Sequence, residues 1–91
     1  MANRANPAID SDLTIHPGEL LTEELEARGL TQSALARQMG RPVQAINEII
    51  HGRKAVTAET AVGLEVALGI DARIWMSLQS QYDIVIARQS R

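Results

Sequence analysis

Gly29, Gly40, Gly52 and Gly69 cut the centre of this 91-residue chain into short segments, and a helix-starting residue follows each cut: Thr31, Pro42, Thr57 and Asp71. Glycine enters left-handed backbone without steric cost and so ends helices. Thr and Asp accept N–H bonds at helix starts, and proline fits a first turn. Between the cuts the apolar residues recur at three and four, the helical period. Pro17 opens a first helix carrying Leu21 and Leu25. Leu35, Ala36 and Met39 mark a second, and Val43, Ile46, Ile49 and Ile50 a third. Ala61, Leu64 and Leu68 mark a fourth, and Ile74, Trp75, Leu78, Tyr82 and Val85 a fifth. β-branched runs are short and never alternate with polar residues, so no strand is expected. The reading is all-α: five short helices in one domain over residues 16–91, preceded by a flexible tail over 1–15. Gly18 falls in a helix start, and Gly63 alone has no place in this punctuation; inside a helix it costs ~1 kcal/mol against alanine.

Composition narrows the function classes. The chain has no Cys and no Phe, one Trp and one Tyr, so its core is aliphatic and it has neither a disulfide nor a thiolate metal site. Two histidines, His16 and His51, without a carboxylate cluster at metal spacing, argue against a metal centre. No Gly-rich phosphate loop or nucleophile–base set accompanies them, so neither enzyme activity nor a cofactor is expected. Both histidines stand at helix ends, where His is an ordinary capping residue. No apolar run approaches a membrane span, and residues 1–12 lack the apolar core of a signal peptide, which points to the cytoplasm.

The net charge of −2 hides an uneven distribution: Thr31 to Lys54 carries Arg37, Arg41, Arg53 and Lys54 against Glu48 alone. That basic stretch coincides with two short helices joined at a glycine, the pattern of a helix-turn-helix. Ala36 is small enough for the helices to cross, and Leu35 and Ile46 would clamp the crossing from either side. The second helix would then present Arg41, Val43, Gln44 and Asn47 to a major groove, where Gln and Asn pair with adenine and Arg with guanine. Gln32 opens the first helix, placed to reach a phosphate, and His51, Arg53 and Lys54 form a basic loop that would meet the backbone again. Each residue alone is equally compatible with a solvated surface, and Asn47 could instead brace the neighbouring loop. The combination reads as binding to double-stranded DNA.

From His16 to Ala87 the chain resembles the HigA and VapI-like antitoxins, a branch of the Xre-type helix-turn-helix proteins. The resemblance lies in His16-Pro17-Gly18-Glu19-Leu20-Leu21, Gly29-Leu30-Thr31-Gln32, Leu35-Ala36, Ile46-Asn47-Glu48-Ile49, Gly52-Arg53-Lys54, Thr57-Ala58-Glu59-Thr60-Ala61, Leu68-Gly69, Trp75, Leu78-Gln79 and Tyr82-Asp83. The opening HPGE and the closing Trp and Tyr-Asp stretches are particular to this branch. The resemblance implies a lambda-repressor-like fold, with Gln32, Gln44 and Asn47 at DNA-facing positions and Arg53 and Lys54 in the basic loop. It also implies an antitoxin that represses its own operon and neutralises a HigB-like ribonuclease toxin that cuts messenger RNA. The chain departs from the family at Arg41, often apolar there, and at Val43-Gln44-Ala45, often more basic, so a family operator does not transfer.

One such module reads few base pairs, so a homodimer on two half-sites is expected. Trp75, Leu78, Tyr82 and Val85 on the fifth helix are the candidate dimer surface. The plainer alternative is that Trp75 and Leu78 close the core. Glu19, Glu23 and Glu26 on the first helix are candidate toxin contacts, since an RNA-cutting toxin is basic around its substrate. The rival reading is a free-standing repressor of the same fold without a toxin.

Overall fold

The computed structural model describes residues 15–90. Apart from Ile15, the expected tail lies outside the described residues. Five helices follow in order: α1 (Pro17–Arg28), α2 (Gln32–Met39), α3 (Val43–Ile50), α4 (Ala58–Leu68) and α5 (Ala72–Gln89). No strand occurs among the described residues. The punctuation read from the sequence holds at each joint. Gly29, Gly40, Gly52 and Gly69 all have positive φ. Thr31 Oγ1 accepts from the Ala34 N–H at 3.0 Å, and Thr57 Oγ1 from the Thr60 N–H at 3.3 Å. Asp71 Oδ1 accepts from the Arg73 N–H at 2.7 Å. The Arg73 side chain also folds onto that carboxylate and, with this backbone bond, holds Asp71 down to about 2. Pro42 precedes α3 without a side-chain cap.

The core gathers one stripe from each helix: Leu21 and Leu25, Leu35 and Ala36, Ile46 and Ile49, Ala61, Leu64 and Leu68, and Trp75, with Val56 from the α3–α4 loop. α2 packs on α3 and α4, α1 packs on α3 and α5, and α5 closes on α4. Leu35 and Ile46 are fully buried and Ala36 nearly so, as the crossing of α2 and α3 requires. Gly63 faces α2: a Cβ at that position would lie 3.0 Å from Met39 Cε, the end of a flexible side chain.

Trp75 is at 0% exposure, which removes it from the expected dimer surface. Its ring closes the core, and its Nε1 donates to the Ile70 carbonyl at 3.2 Å. The helical period could not separate this role from an outward one, because Trp75 and Leu78 share an apolar sector of α5. Four residues beyond Trp75, on the same side, Gln79 is buried as well. Its Oε1 accepts from the Val56 N–H at 2.8 Å and its Nε2 donates to Asp83 at 2.9 Å. An amide here satisfies a loop N–H that would otherwise be buried without a partner.

His16, Pro17 and Gly18 are buried together at the start of α1. His16 Nδ1 accepts from the Gly18 N–H at 2.8 Å, so the ring is the N-cap and carries its proton on Nε2. It meets Tyr82 edge-on, with centroids 4.5 Å apart. Burial pushes the imidazole below its ordinary value of 6.5, against the opposing pull of Glu19 and Asp83. Protonation would also remove the lone pair that caps the helix. The unfolded chain therefore takes up the proton more readily, so this stabilisation is full above pH 6.5 and declines as pH falls below it. Thermal unfolding is expected to show a melting temperature that drops between pH 7.5 and 5.5. His16→Asn, which caps without titrating, should lose less over that interval; equal losses would remove His16 as the cause.

Candidate nucleic-acid interface

The interface is built on α2 and α3. Ile46 and Ile49 turn inward, and the opposite side of α3 presents Val43, Gln44, Asn47 and His51 at the helical spacing. Val43 is 46% exposed, Gln44 and His51 are exposed, and Asn47 is half-buried. Beyond α3, the N–H groups of Arg53 and Lys54 donate to the Glu48 carbonyl at 2.8 and 3.3 Å. These bonds hold the loop while both side chains stay exposed.

Four of the expected DNA-facing side chains already have partners. Asn47 Nδ2 donates to Gln32 Oε1 at 3.2 Å, joining the recognition helix to the first residue of α2. Asn47 thus braces α2, not the neighbouring loop that the sequence had left open to it. Gln32 keeps its own N–H₂ group as a donor. Arg41 is half-buried and its Nη2 lies 3.6 Å from Glu59 Oε1 on α4, a contact between residues too far apart in the chain for local pattern to reveal. His51 Nδ1 sits 2.9 Å from the Asn47 carbonyl, which turns the ring back on its own helix and leaves Nε2 outward.

On α1, Glu19, Glu23 and Glu26 are all exposed. Glu24 pairs with Arg28 at 3.0 Å, and Arg28 also donates to the Leu68 carbonyl at 2.7 Å, tying α1 to the end of α4. Glu26 shares a shallow groove with Gln32 and His51, so the acidic side of α1 reaches the border of the basic one. Among the described residues no His, Asp or Glu cluster is arranged to hold a metal ion, and no helix is long and apolar enough to cross a membrane.

The chain matches the helix-turn-helix family over residues 21–75. It is 35% identical to an addiction module antidote protein of the HigA family from Coxiella burnetii, with a TM-score of 0.79 and 85% of each chain covered. The chain belongs to the HigA branch of the helix-turn-helix proteins. This family is one of DNA-binding antitoxins and repressors, not of enzymes. Among other relatives, virulence-associated protein I of Dichelobacter nodosus is 41% identical over 78 residues, which span 85% of this chain and 72% of that protein. The Pseudomonas aeruginosa antitoxin HigA, solved with the higBA promoter, is 32% identical with a TM-score of 0.80 and 85% of each chain covered. The HPGE opening has a structural role in this chain: the buried His16–Gly18 turn sets α1 against the end of α3.

Proposed function

We propose that this protein is the antitoxin of a type II toxin–antitoxin module. As a homodimer in the cytoplasm it binds operator DNA, represses its own operon and neutralises a HigB-like ribonuclease toxin. One observation carries the reading: the exposed side of α3 lies within a fold whose Pseudomonas aeruginosa relative was solved on promoter DNA. Gln44 and Val43 are the base-facing residues. Gln32, Arg53 and Lys54 contact phosphates, with Arg41 and His51 at the border and Asn47 holding Gln32.

The dimer surface shifts by one helical step from the sequence expectation. Ile74 is 49% exposed, and Leu78 and Val85 are half-buried. These three lie on one side of α5 at helical spacing, and Tyr82, stacked on His16, borders them. Apolar surface of this kind suits a two-fold partner. Glu19, Glu23 and Glu26 are the toxin-facing residues, because a protein that holds RNA presents positive charge. A charge reversal of Glu19 and Glu23 that left toxin affinity unchanged would remove α1 from that interface.

The deciding experiment is binding of the full chain to the DNA upstream of its own gene, at low and moderate salt. Tight binding over random DNA is expected, with affinity falling steeply as salt rises, since phosphate contacts release counterions. Gln44→Ala should weaken it about tenfold, the value of one lost bidentate base contact. Equal affinity for random DNA would overturn the repressor reading.

A further inference from the structure

Three side chains at the α2–α3 interface have the chemistry to read bases by hydrogen bonding: Arg41, Gln44 and Asn47. The structure does not leave them equally free. Arg41, the one suited to guanine, is turned toward Glu59 at 3.6 Å. Asn47 is half-buried and commits one of its two amide N–H groups to Gln32, which draws its carboxamide toward α2. Gln44 is exposed and keeps both groups.

Beside it stands Val43, the first residue of α3, an apolar side chain left 46% exposed where a recognition helix enters a groove. In the major groove the one apolar feature is the C5-methyl group of thymine, and the residue types that read it are small and aliphatic or aromatic. Asn47 lies on the same side of the helix one turn later, and its link to Gln32 fixes how α2 and α3 meet the duplex.

We propose that this chain reads an A·T-based half-site, in which Gln44 pairs with an adenine and Val43 packs on the methyl group of a nearby thymine, while Asn47 positions Gln32 on the phosphate and reads no base. This rests on the DNA-binding reading above and specifies it. The discrimination is between bases that carry a methyl group in the major groove and those that do not. Arg41, half-buried beside Glu59, is assigned no base in this half-site.

The test begins with the full-length protein and a pool of duplexes with a random 30-base-pair centre, from which bound sequences are selected. The selected duplex is then remade with deoxyuridine replacing each thymidine in turn, which removes only the methyl group. At one half-site position this substitution is expected to weaken the wild-type protein about fourfold, the value of one buried methyl group. The same duplex should leave Val43→Ala unaffected, and circular dichroism should show that variant folded, since it replaces an exposed residue by a good helix former. Asn47→Ala should weaken all sequences alike, whereas Gln44→Ala should relax the preference at the adenine.

If deoxyuridine is harmless at every position, or equally costly to Val43→Ala, the methyl readout is overturned while operator binding stands. An Asn47→Ala variant that changes the selected sequence would overturn the positioning role. A pool that yields no preferred sequence would overturn both this assignment and the repressor reading.

Discussion

Replacing Gly18 by alanine is expected to destabilise the domain by about 3 kcal/mol or more, at the upper end of what overpacking costs. A Cβ at this position would lie 2.5 Å from the carbonyl oxygens of both Ile49 and Ile50, and 2.9 Å from His16 Nδ1. The first two are backbone atoms at the end of the recognition helix, so no rotamer change relieves the contact. Moving α1 away would uncover the buried Pro17. For a domain of this size the melting temperature should fall by at least ~12 °C, as followed by circular dichroism. Thr22→Ala is the control: it is one turn further along α1 and loses a half-buried methyl group and the hydroxyl that donates to the Gly18 carbonyl, without adding an atom. A Gly18→Ala melting temperature within a few degrees of the wild type would show that the α1–α3 approach is looser than the structure has it. Because the strain falls on the carboxyl end of α3, residual folded protein should also bind DNA less well.

Trp75→Ala should cost a similar or larger amount, about 3–5 kcal/mol, since it empties the largest side chain of the core. Most of a small domain's stability would be lost. The contrast that gives this prediction its meaning is Ile74→Glu with Val85→Glu. Those side chains lie off the core side of α5, so the double variant is expected to keep its helical signal and its melting temperature at low concentration to within about 1 kcal/mol of stability. In sedimentation the wild type is expected to run as a dimer and the double variant as a monomer. A Trp75→Ala protein that folded normally but lost self-association would return Trp75 to the interface. A double variant that still formed dimers would move the interface off this side of α5.

How much of this was legible beforehand differs from one contact to the next. Thr31, Thr57 and Asp71 bond to N–H groups two or three residues away, and the glycine stops act through their own φ, so those signals are local. Leu35, Ala36 and Ile46 were legible too, because a helix crossing demands a small residue flanked by large ones. The interface residues fell where their spacing put them, and Gln44, Val43, Arg53 and Lys54 proved exposed. The state of each side chain was another matter. Asn47 finds Gln32 fifteen residues earlier, and Arg41 finds Glu59 across α4. Neither spacing is a helical or turn period. Gln79 carried a faint signal, a polar residue one turn beyond Trp75 on the same stripe.

By itself the sequence determined the number, order and ends of the helices, the crossing of α2 and α3, and the identity of the side chains on the exposed side of α3. All of these depend on interactions within a few residues or on helical period. Only the tertiary structure decided that Trp75 faces the core, that Gly18 marks a close approach of two backbones, and that Asn47 and Arg41 already have partners. Those outcomes depend on which surfaces meet across long stretches of chain. A side chain's burial and hydrogen bonds are set by the atoms that reach it, whatever their distance in sequence.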